Sequence, residues 1–304
     1  MKEILRITIA LTLSCLIAAT VMGLAFVVTA KAKKHNEHLY MQETMLGLLG
    51  YSKARPAPSD LRFYGVYRYV IADGDRRFLG YMVPVKRGGE QNYALVVMDL
   101  KGRFVETMDL SISPEAAGDA PEREKALRVA LGPPKAVTYG DTTIIAKRGE
   151  RRLAYLLPGA FPGFKTFISI MLALDPSFKV LGLEIMEHEE DPGLGAEIEE
   201  EYFKHQFKGK TFERIKTIDV VRKPLPEQYK KYLERSTSQE GAFTEEEIEE
   251  IKRTYQDKDI YAITGATISS KSVSDGVRNM TKRFSYRMES LDRVIASQGV
   301  EVLF

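Results

Sequence analysis

Ile260-Tyr261-Ala262-Ile263-Thr264-Gly265-Ala266-Thr267-Ile268-Ser269-Ser270 is the stretch on which the reading of this chain turns. Its first four residues read as a short apolar strand, Thr264 to Thr267 as a turn, and the remainder as the mouth of a long helix. From Ser269 or Ser270 to about Ala296, the residues Val273, Val277, Met280, Phe284, Met288 and Leu291 recur at three- and four-residue intervals and mark one apolar helix face. Gly265 and Ala266 leave room for a bulky group to approach the backbone. Thr267 falls just before the helix N-terminus, where free N–H groups and the positive end of the helix dipole favour a phosphate dianion. Thr264, Ser269 and Ser270 add hydroxyl donors. Taken alone, the segment also fits a plain structural turn.

Working upstream, His188-Glu189-Glu190-Asp191-Pro192-Gly193-Leu194-Gly195 comes directly after the strand-like run Val180 to Glu187. Pro192-Gly193 predicts a tight turn, and Gly195 allows a second unusual dihedral. Such a loop can press backbone amides against a flat ligand. His188 reads as a ligand or base, or as a histidine satisfied by hydrogen bonds. With Glu189 and Glu190 it could hold a metal, but no second histidine stands at metal spacing, so no metal site is assigned.

Further upstream, strands are predicted over 63–71, 78–85, 93–98 and 103–110, with turn signals at Asp73-Gly74-Asp75 and Asp99-Leu100-Lys101-Gly102. A helix from Pro121 to Leu131 stops at Gly132-Pro133-Pro134. A second set of strands begins at Thr142 and includes 166–174 and 180–187, the last two joined by Asp175-Pro176-Ser177-Phe178-Lys179. The pairs 93–110 and 166–187 share one plan, apolar strand, Asp-led turn, apolar strand, which reads as a degenerate repeat of a hairpin or as two ordinary hairpins. Thr244-Glu245-Glu246-Glu247 predicts a helix start, with Thr244 capping, Glu247 reaching back and Phe243 stapling against Ile248.

The N-terminal end carries no charge from Ile7 to Ala30, which is 24 positions. At about 1.5 Å per residue, such a helix crosses a hydrocarbon core of about 30 Å. The run is longer than the apolar region of a cleaved signal peptide, so a retained anchor is expected. A short helix around Tyr40 to Leu49 comes next, then the linker Arg55-Pro56-Ala57-Pro58. Lys31, Lys33 and Lys34 outnumber Lys2 and Arg6, a bias that by itself favours a cytoplasmic location for the bulk of the chain.

Composition narrows the function. The formal net charge is +2 over 304 residues, with Lys and Arg dispersed rather than striped, so nucleic acid is not an expected partner. The single cysteine, Cys15, excludes an internal disulfide, a Cys-rich zinc site and a cysteine-ligated iron–sulfur cluster within this chain.

The loop and the turn together, about 70 residues apart, resemble the two motifs of the FMN-binding subunits RnfG and NqrC, of the Rnf and Na+-translocating NADH:quinone reductase complexes. The loop pattern of that family is His-x-Glu-Thr-Pro-Gly-Leu-Gly, matched by His188, Glu190, Pro192, Gly193, Leu194 and Gly195, with Asp191 in place of Thr. Its attachment motif is Asp-x-x-Ser/Thr-Gly-Ala-Thr, matched by Thr264-Gly265-Ala266-Thr267. The leading Asp falls at Tyr261, and Asp259 lies two residues earlier. Phe207-Lys208-Gly209-Lys210 resembles the aromatic-x-Gly element that comes after the loop. The resemblance covers residues 150–285 and the anchor.

The resemblance implies an α+β fold, an antiparallel sheet with flanking helices, preceded by one transmembrane helix. Three parts are expected: an anchor (1–34), an N-terminal extracytoplasmic α+β part (35–140) and a covalent FMN-binding domain (141–304). It implies FMN esterified through its phosphate to Thr267, with Thr264, Gly265, Ala266, Ser269, His188, Glu190, Pro192, Gly193, Leu194 and Gly195 around it and no catalytic acid or base. It implies a redox subunit of an Rnf-like complex rather than a stand-alone catalyst, partnered by other membrane subunits and matured by an ApbE-type flavin transferase. The soluble domain would lie outside the cytoplasmic membrane, against the flank-charge bias. The alternatives are the NqrC role in a Na+-translocating NADH:quinone reductase and a tethered sensor or assembly module without flavin. A free-standing flavin reductase lacks support, because the chain shows no Gly-rich dinucleotide fingerprint.

Overall fold

The structure, a computed structural model, describes residues 2–234 and 243–304. The chain divides into two compact units, Met1–Gly47 and Leu48–Phe304.

The first unit is almost entirely one helix, α1, Lys2–Leu48. Its Lys2–Ala30 portion is long and apolar enough to cross a membrane. The hydroxyls of Thr8, Thr12, Thr20 and Thr29 each donate to the carbonyl four residues earlier, so they meet an apolar medium already paired. The sequence reading places a separate short helix at Tyr40–Leu49; instead α1 is continuous through it. Residues 31–46 contain neither Gly nor Pro, so nothing breaks the helix between the apolar run and its last turn at Gly47-Leu48.

The second unit is α+β. Eight antiparallel strands form one sheet in the order β4-β3-β2-β1-β5-β6-β7-β8. They are β1 (Leu61–Asp73), β2 (Arg76–Arg87), β3 (Glu90–Asp99), β4 (Phe104–Leu110), β5 (Ala136–Arg148), β6 (Arg151–Pro162), β7 (Phe167–Leu174) and β8 (Val180–Glu187). The sheet is therefore two four-stranded meanders set back to back, joined where β1 pairs with β5. Residue 140 lies inside β5, so the parts on either side of it share one sheet. The sequence reading names no strand at Arg151–Pro162; β6 fills that place.

Alternation along each strand sends side chains to two layers. On one face, Tyr81, Val83 and Val85 of β2 and Ala94, Val96 and Met98 of β3 join Ile168, Ile170 and Leu172 of β7 beneath α7 (Thr267–Gln298). Val273, Val277, Phe284, Met288 and Leu291 of α7 belong to this core, so the stripe read from sequence is its buried face. On the other face, Met82, Leu95, Val97 and Leu110 pack against Leu127 and Leu131 of α2 (Ala120–Leu131).

Between β8 and α7 the chain forms α3 (Glu201–Lys204), α4 (Phe212–Thr217), β9 (Val220–Val221), α5 (Glu227–Leu233), α6 (Glu245–Tyr255) and β10 (Ile260–Tyr261). β10 pairs in parallel with β9. The α6 capping box forms as expected between Thr244 and Glu247. The Phe243 ring meets Tyr232 in the aromatic cluster between α5 and α6.

Candidate functional site

Three segment ends converge on the first turn of α7: the loop after β8, the β6–β7 turn, and the turn after β10. A buried carboxylate ties them together. Glu190 is 5% exposed. Its Oε1 accepts from the backbone N–H of Phe164 (2.8 Å) and of Lys165 (3.1 Å), and its Oε2 accepts from the Ser269 hydroxyl. Buried charge is tolerable only when it is fully hydrogen-bonded, and three donors meet that requirement. The fit leaves no spare room. A Cβ on Gly195 would lie 2.7 Å from Glu190 Oε2 and 2.9 Å from Ser269 Oγ, so this position is glycine because of packing. Two further contacts close the seam: Ser272 donates to the Pro162 carbonyl, and Lys165 Nζ lies 2.5 Å from Asp191. The Asp191 carboxylate holds the Lys165 ammonium above its usual pKa.

His188 is a staple of the same loop. Its Nδ1 accepts from the Glu190 backbone N–H at 3.0 Å, so Nε2 carries the proton and faces Glu199 at 2.9 Å. Asp191-Pro192-Gly193-Leu194 forms the expected tight turn, with Gly193 at φ 73° and the Leu194 N–H donating to the Asp191 carbonyl. Leu194 remains 46% exposed and leans over Gly265, whose φ is 80°; a Cβ there would stand 3.0 Å from Leu194 Cδ2. Both features, the dihedral and the close approach, call for glycine at 265.

The helix starts earlier than the sequence reading places it. Thr267 is the first residue of α7 and Ala266 its N-cap, with no side-chain cap and no acidic residue in the first turn. Ser270 N–H to Ala266 C=O opens the helical ladder. The amides of Thr267, Ile268 and Ser269 precede it at an end where alanine offers no acceptor. The Thr267 side chain is half-buried, and Thr264, Gly265 and Ile268 are exposed. Ser269 and Ser270, read from sequence as hydroxyl donors to a ligand, face the protein. Ser269 is committed to Glu190, and Ser270 accepts from the Ile263 N–H while donating to the Ala266 carbonyl. Which face of a new helix its second and third residues take depends on tertiary packing, and sequence alone did not show it.

The supports behind the turn are polar and buried. Gln206 holds the backbone of Tyr261 on both sides: its Oε1 accepts from the Tyr261 N–H at 2.7 Å and its Nε2 donates to the Tyr261 carbonyl. The Tyr261 ring packs edge-on against Tyr229. Asp259 is engaged by Arg214 and by the Asp219 N–H. Lys210, in the turn that carries Phe207 and Gly209, donates to the carbonyls of Gln256 and Lys258 at 2.7 Å each; burial lowers its ammonium to about 8. None of these supports was named as a site residue from sequence. Among the described residues no group of three His, Cys, Asp or Glu side chains comes together to hold a metal ion.

This arrangement offers an open, uncapped helix N-terminus beside a hydroxyl, with an apolar side chain over the glycine turn. It suits an anionic group on a flat apolar body better than acid–base catalysis.

Residues 163–282 match the model of the FMN-binding domain family. Over 138 residues the chain is 28% identical to the G subunit of the proton-translocating ferredoxin:NAD(+) oxidoreductase complex of Clostridium ljungdahlii, covering 45% of this chain and 57% of the relative's length. Two solved structures are also similar. NqrC of Shewanella oneidensis has a TM-score of 0.33 at 17% identity over 48% of this chain and 57% of that one. The C subunit of the Na(+)-translocating NADH-quinone reductase of Parabacteroides distasonis has a TM-score of 0.36 at 19% identity over 67% and 78%.

Proposed function

We propose that this chain, whose residues 163–282 form an FMN-binding domain of the RnfG/NqrC kind, is a single-pass membrane electron carrier holding FMN as a phosphoester on Thr267. The observation that carries this is the start of α7: a helix of 32 residues whose N-terminus has alanine as its cap, with the Thr267 hydroxyl at its first position.

The residues present fit the group. A phosphate on Thr267 Oγ would accept from the first-turn amides and supply the cap that Ala266 lacks. Gly265 leaves the backbone open to it, and Leu194 offers an apolar surface beside it. The clamp through Glu190 fixes the loop and the helix mouth relative to each other without touching the phosphate. When bound, FMN supplies one- and two-electron redox chemistry; the chain supplies attachment, orientation and environment. Attachment forms the Thr267 Oγ–P bond and breaks the pyrophosphate bond of FAD, releasing AMP and the hydroxyl proton. A separate Mg-dependent transferase of the ApbE type would perform it. The carrier would serve an Rnf-type ion-translocating complex with other membrane subunits, its second unit outside the cytoplasmic membrane. The His188-x-Glu190 pattern favours the Rnf type over the Na+-translocating quinone reductase.

A second reading, a tethered module of the same fold without flavin, rests on Tyr261 standing where the attachment motif has Asp. The two separate cleanly. Intact-mass analysis after co-expression with the transferase should show one FMN adduct on the peptide containing Thr267, and a denaturing gel should show a flavin-fluorescent band. Thr267→Ala should lose both. A wild-type chain that weighs only its amino acids would establish the module instead.

A further inference from the structure

Among the described residues of the second unit, nine large apolar side chains are exposed, and four of them cluster here: Phe164 (58%), Phe167 (63%), Leu194 (46%) and Ile268 (58%). Their closeness comes from bonds already described. Glu190 ties Phe164 to the first turn of α7, Leu194 leans on Gly265, and Phe167 pairs with Pro162 across the β6–β7 turn. Flexible side chains do not produce this exposure, because the backbone amides of Phe164 and Lys165 are anchored to a buried carboxylate. Clustered exposed apolar side chains on rigid supports mark an interaction surface.

The surroundings define the partner. From Glu187 to Glu201 the chain carries eight carboxylates and no Lys or Arg. Glu190 is buried beneath the loop, Glu197 is bonded to Tyr202 and Glu199 faces His188, while Glu187, Glu189, Glu200 and Glu201 are exposed on the same segment as Leu194. The cations on the adjoining segments are paired: Lys165 with Asp191, and Lys271, one turn into α7, with Asp219 and Asp275. An apolar centre with an acidic border repels an anionic bilayer and complements a protein surface whose apolar centre is ringed by Lys and Arg.

We propose that the end of the second unit around Thr267 is a docking face for a redox protein with an apolar contact patch bordered by basic side chains. The electron-transfer role of the face rests on the carrier reading above; the face itself does not. Charge steers the encounter, the apolar centre excludes water at contact, and contact takes place where the cofactor would be attached.

Cytochrome c, a lysine-ringed redox protein, is a suitable probe, with succinylated cytochrome c as its charge-reversed control. Binding of each to the full chain in neutral detergent would be measured by calorimetry, on preparations whose FMN content has been read by mass. Native cytochrome c should bind about tenfold or more tighter than the succinylated form at low salt, and the gap should close as ionic strength rises. The surface variant Glu187→Gln/Glu189→Gln/Glu200→Gln/Glu201→Gln should narrow the gap severalfold, with an unchanged circular dichroism spectrum. Phe164→Ser/Leu194→Ser should weaken both forms alike.

If a wild type that stays flavin-free after co-expression with the transferase shows the preference, the face stands and the carrier reading fails. If the flavin-loaded protein binds both forms equally at low salt, the face is overturned and the carrier reading survives. A spin label at Phe164→Cys, in a Cys15→Ser background and neutral nanodiscs, tests the competing occupant. Relaxation by oxygen rather than by an aqueous nickel complex would place the face in lipid and overturn the proposal; relaxation by nickel supports it.

Discussion

β1 to β4 and β5 to β8 share one plan. β1 and β5 are 13 residues long, β2 and β6 are 12, and each first turn is a two-residue loop led by glycine, Gly74-Asp75 and Gly149-Glu150. The last turns agree bond for bond. Asp99 Oδ1 accepts from the N–H groups of Lys101 and Arg103, and Asp175 Oδ1 from those of Ser177 and Lys179. The fourth residue of each, Gly102 or Phe178, is left-handed, at φ 76° and 62°. Beyond the last strand the two halves diverge. After β4 the chain passes into α2, which fills a core with Leu127 and Leu131. After β8 it enters a loop whose carboxylate, Glu190, is buried against two other segments. The scaffold is shared; the first half buries a cation, Arg123, bonded to Tyr69 and Ala117, and the second a carboxylate, Glu190, that holds three chain segments together.

The largest way to break that contrast is Glu190→Ala. It leaves the Phe164 and Lys165 N–H groups and the Ser269 hydroxyl without their acceptor, at about 1–3 kcal/mol each and less than additively, so a loss of about 3–5 kcal/mol is expected by denaturant titration. If Thr267 carries FMN as proposed, the yield of the adduct should fall with it. The counterpart on the first half is Glu106→Ala, which removes a half-exposed ion pair with Lys135 and should cost under about 1 kcal/mol. Equal costs would show that the buried clamp is not what distinguishes the halves.

The seam between the halves gives the next effect. Asp141 of β5 accepts from Arg68 of β1 at 3.0 and 2.7 Å and from Arg287 of α7 at 2.6 Å. Burial pushes its carboxyl up, but the hydrogen bonds and charges of the two arginines outweigh burial and hold it below the usual range. A carboxyl whose folded pKa is depressed contributes stability above its unfolded value and loses it as pH falls through the folded one. Asp141→Asn should therefore cost about 1–2 kcal/mol near neutral pH, discounted for its partial exposure, and should flatten the acid limb of a stability–pH curve. An unchanged acid limb would mean that the seam holds by strand pairing alone.

How legible was this in the sequence? The Asp-led turns, the Thr244 to Glu247 capping box and the apolar stripe of α7 all use short-range rules, and they stand in the structure where those rules put them. Glu190 and His188 were visible as motif members, but not as a clamp and a staple, because their partners Phe164, Lys165, Ser269 and Glu199 are fixed only once the strands are placed. Gln206 gave no signal, and Lys210 showed only as the end of the Phe207-Lys208-Gly209-Lys210 element: a glutamine and a lysine in a polar stretch look like surface until folding buries them at 2% and 1% exposure. The anchor is readable from hydropathy, and its continuation to the end of α1 from the lack of any Gly or Pro between Ala30 and Gly47, a point that the reading of Tyr40 to Leu49 as a separate helix misses.

The smallest effect sharpens the comparison most. At the shared left-handed position, the first half has glycine and the second has Phe178, the one non-glycine residue with positive φ among those described. A side chain there costs about 1 kcal/mol in backbone strain. Phe178 offsets it by packing its ring 5.8 Å from Tyr155, 5.7 Å from Phe212 and 5.9 Å from Phe284. Truncating a buried aromatic costs about 3–5 kcal/mol, less for this half-buried ring, so Phe178→Gly should destabilise by about 2 kcal/mol after strain relief is deducted. Gly102→Ala should cost about 1 kcal/mol, since the added Cβ meets only Ser290 at 3.4 Å and strain alone is felt. Both values come from thermal or denaturant unfolding of the same chain. If Phe178→Gly proves stabilising, strain exceeds packing at this turn, and the two hairpins differ by more than the ring that one of them carries.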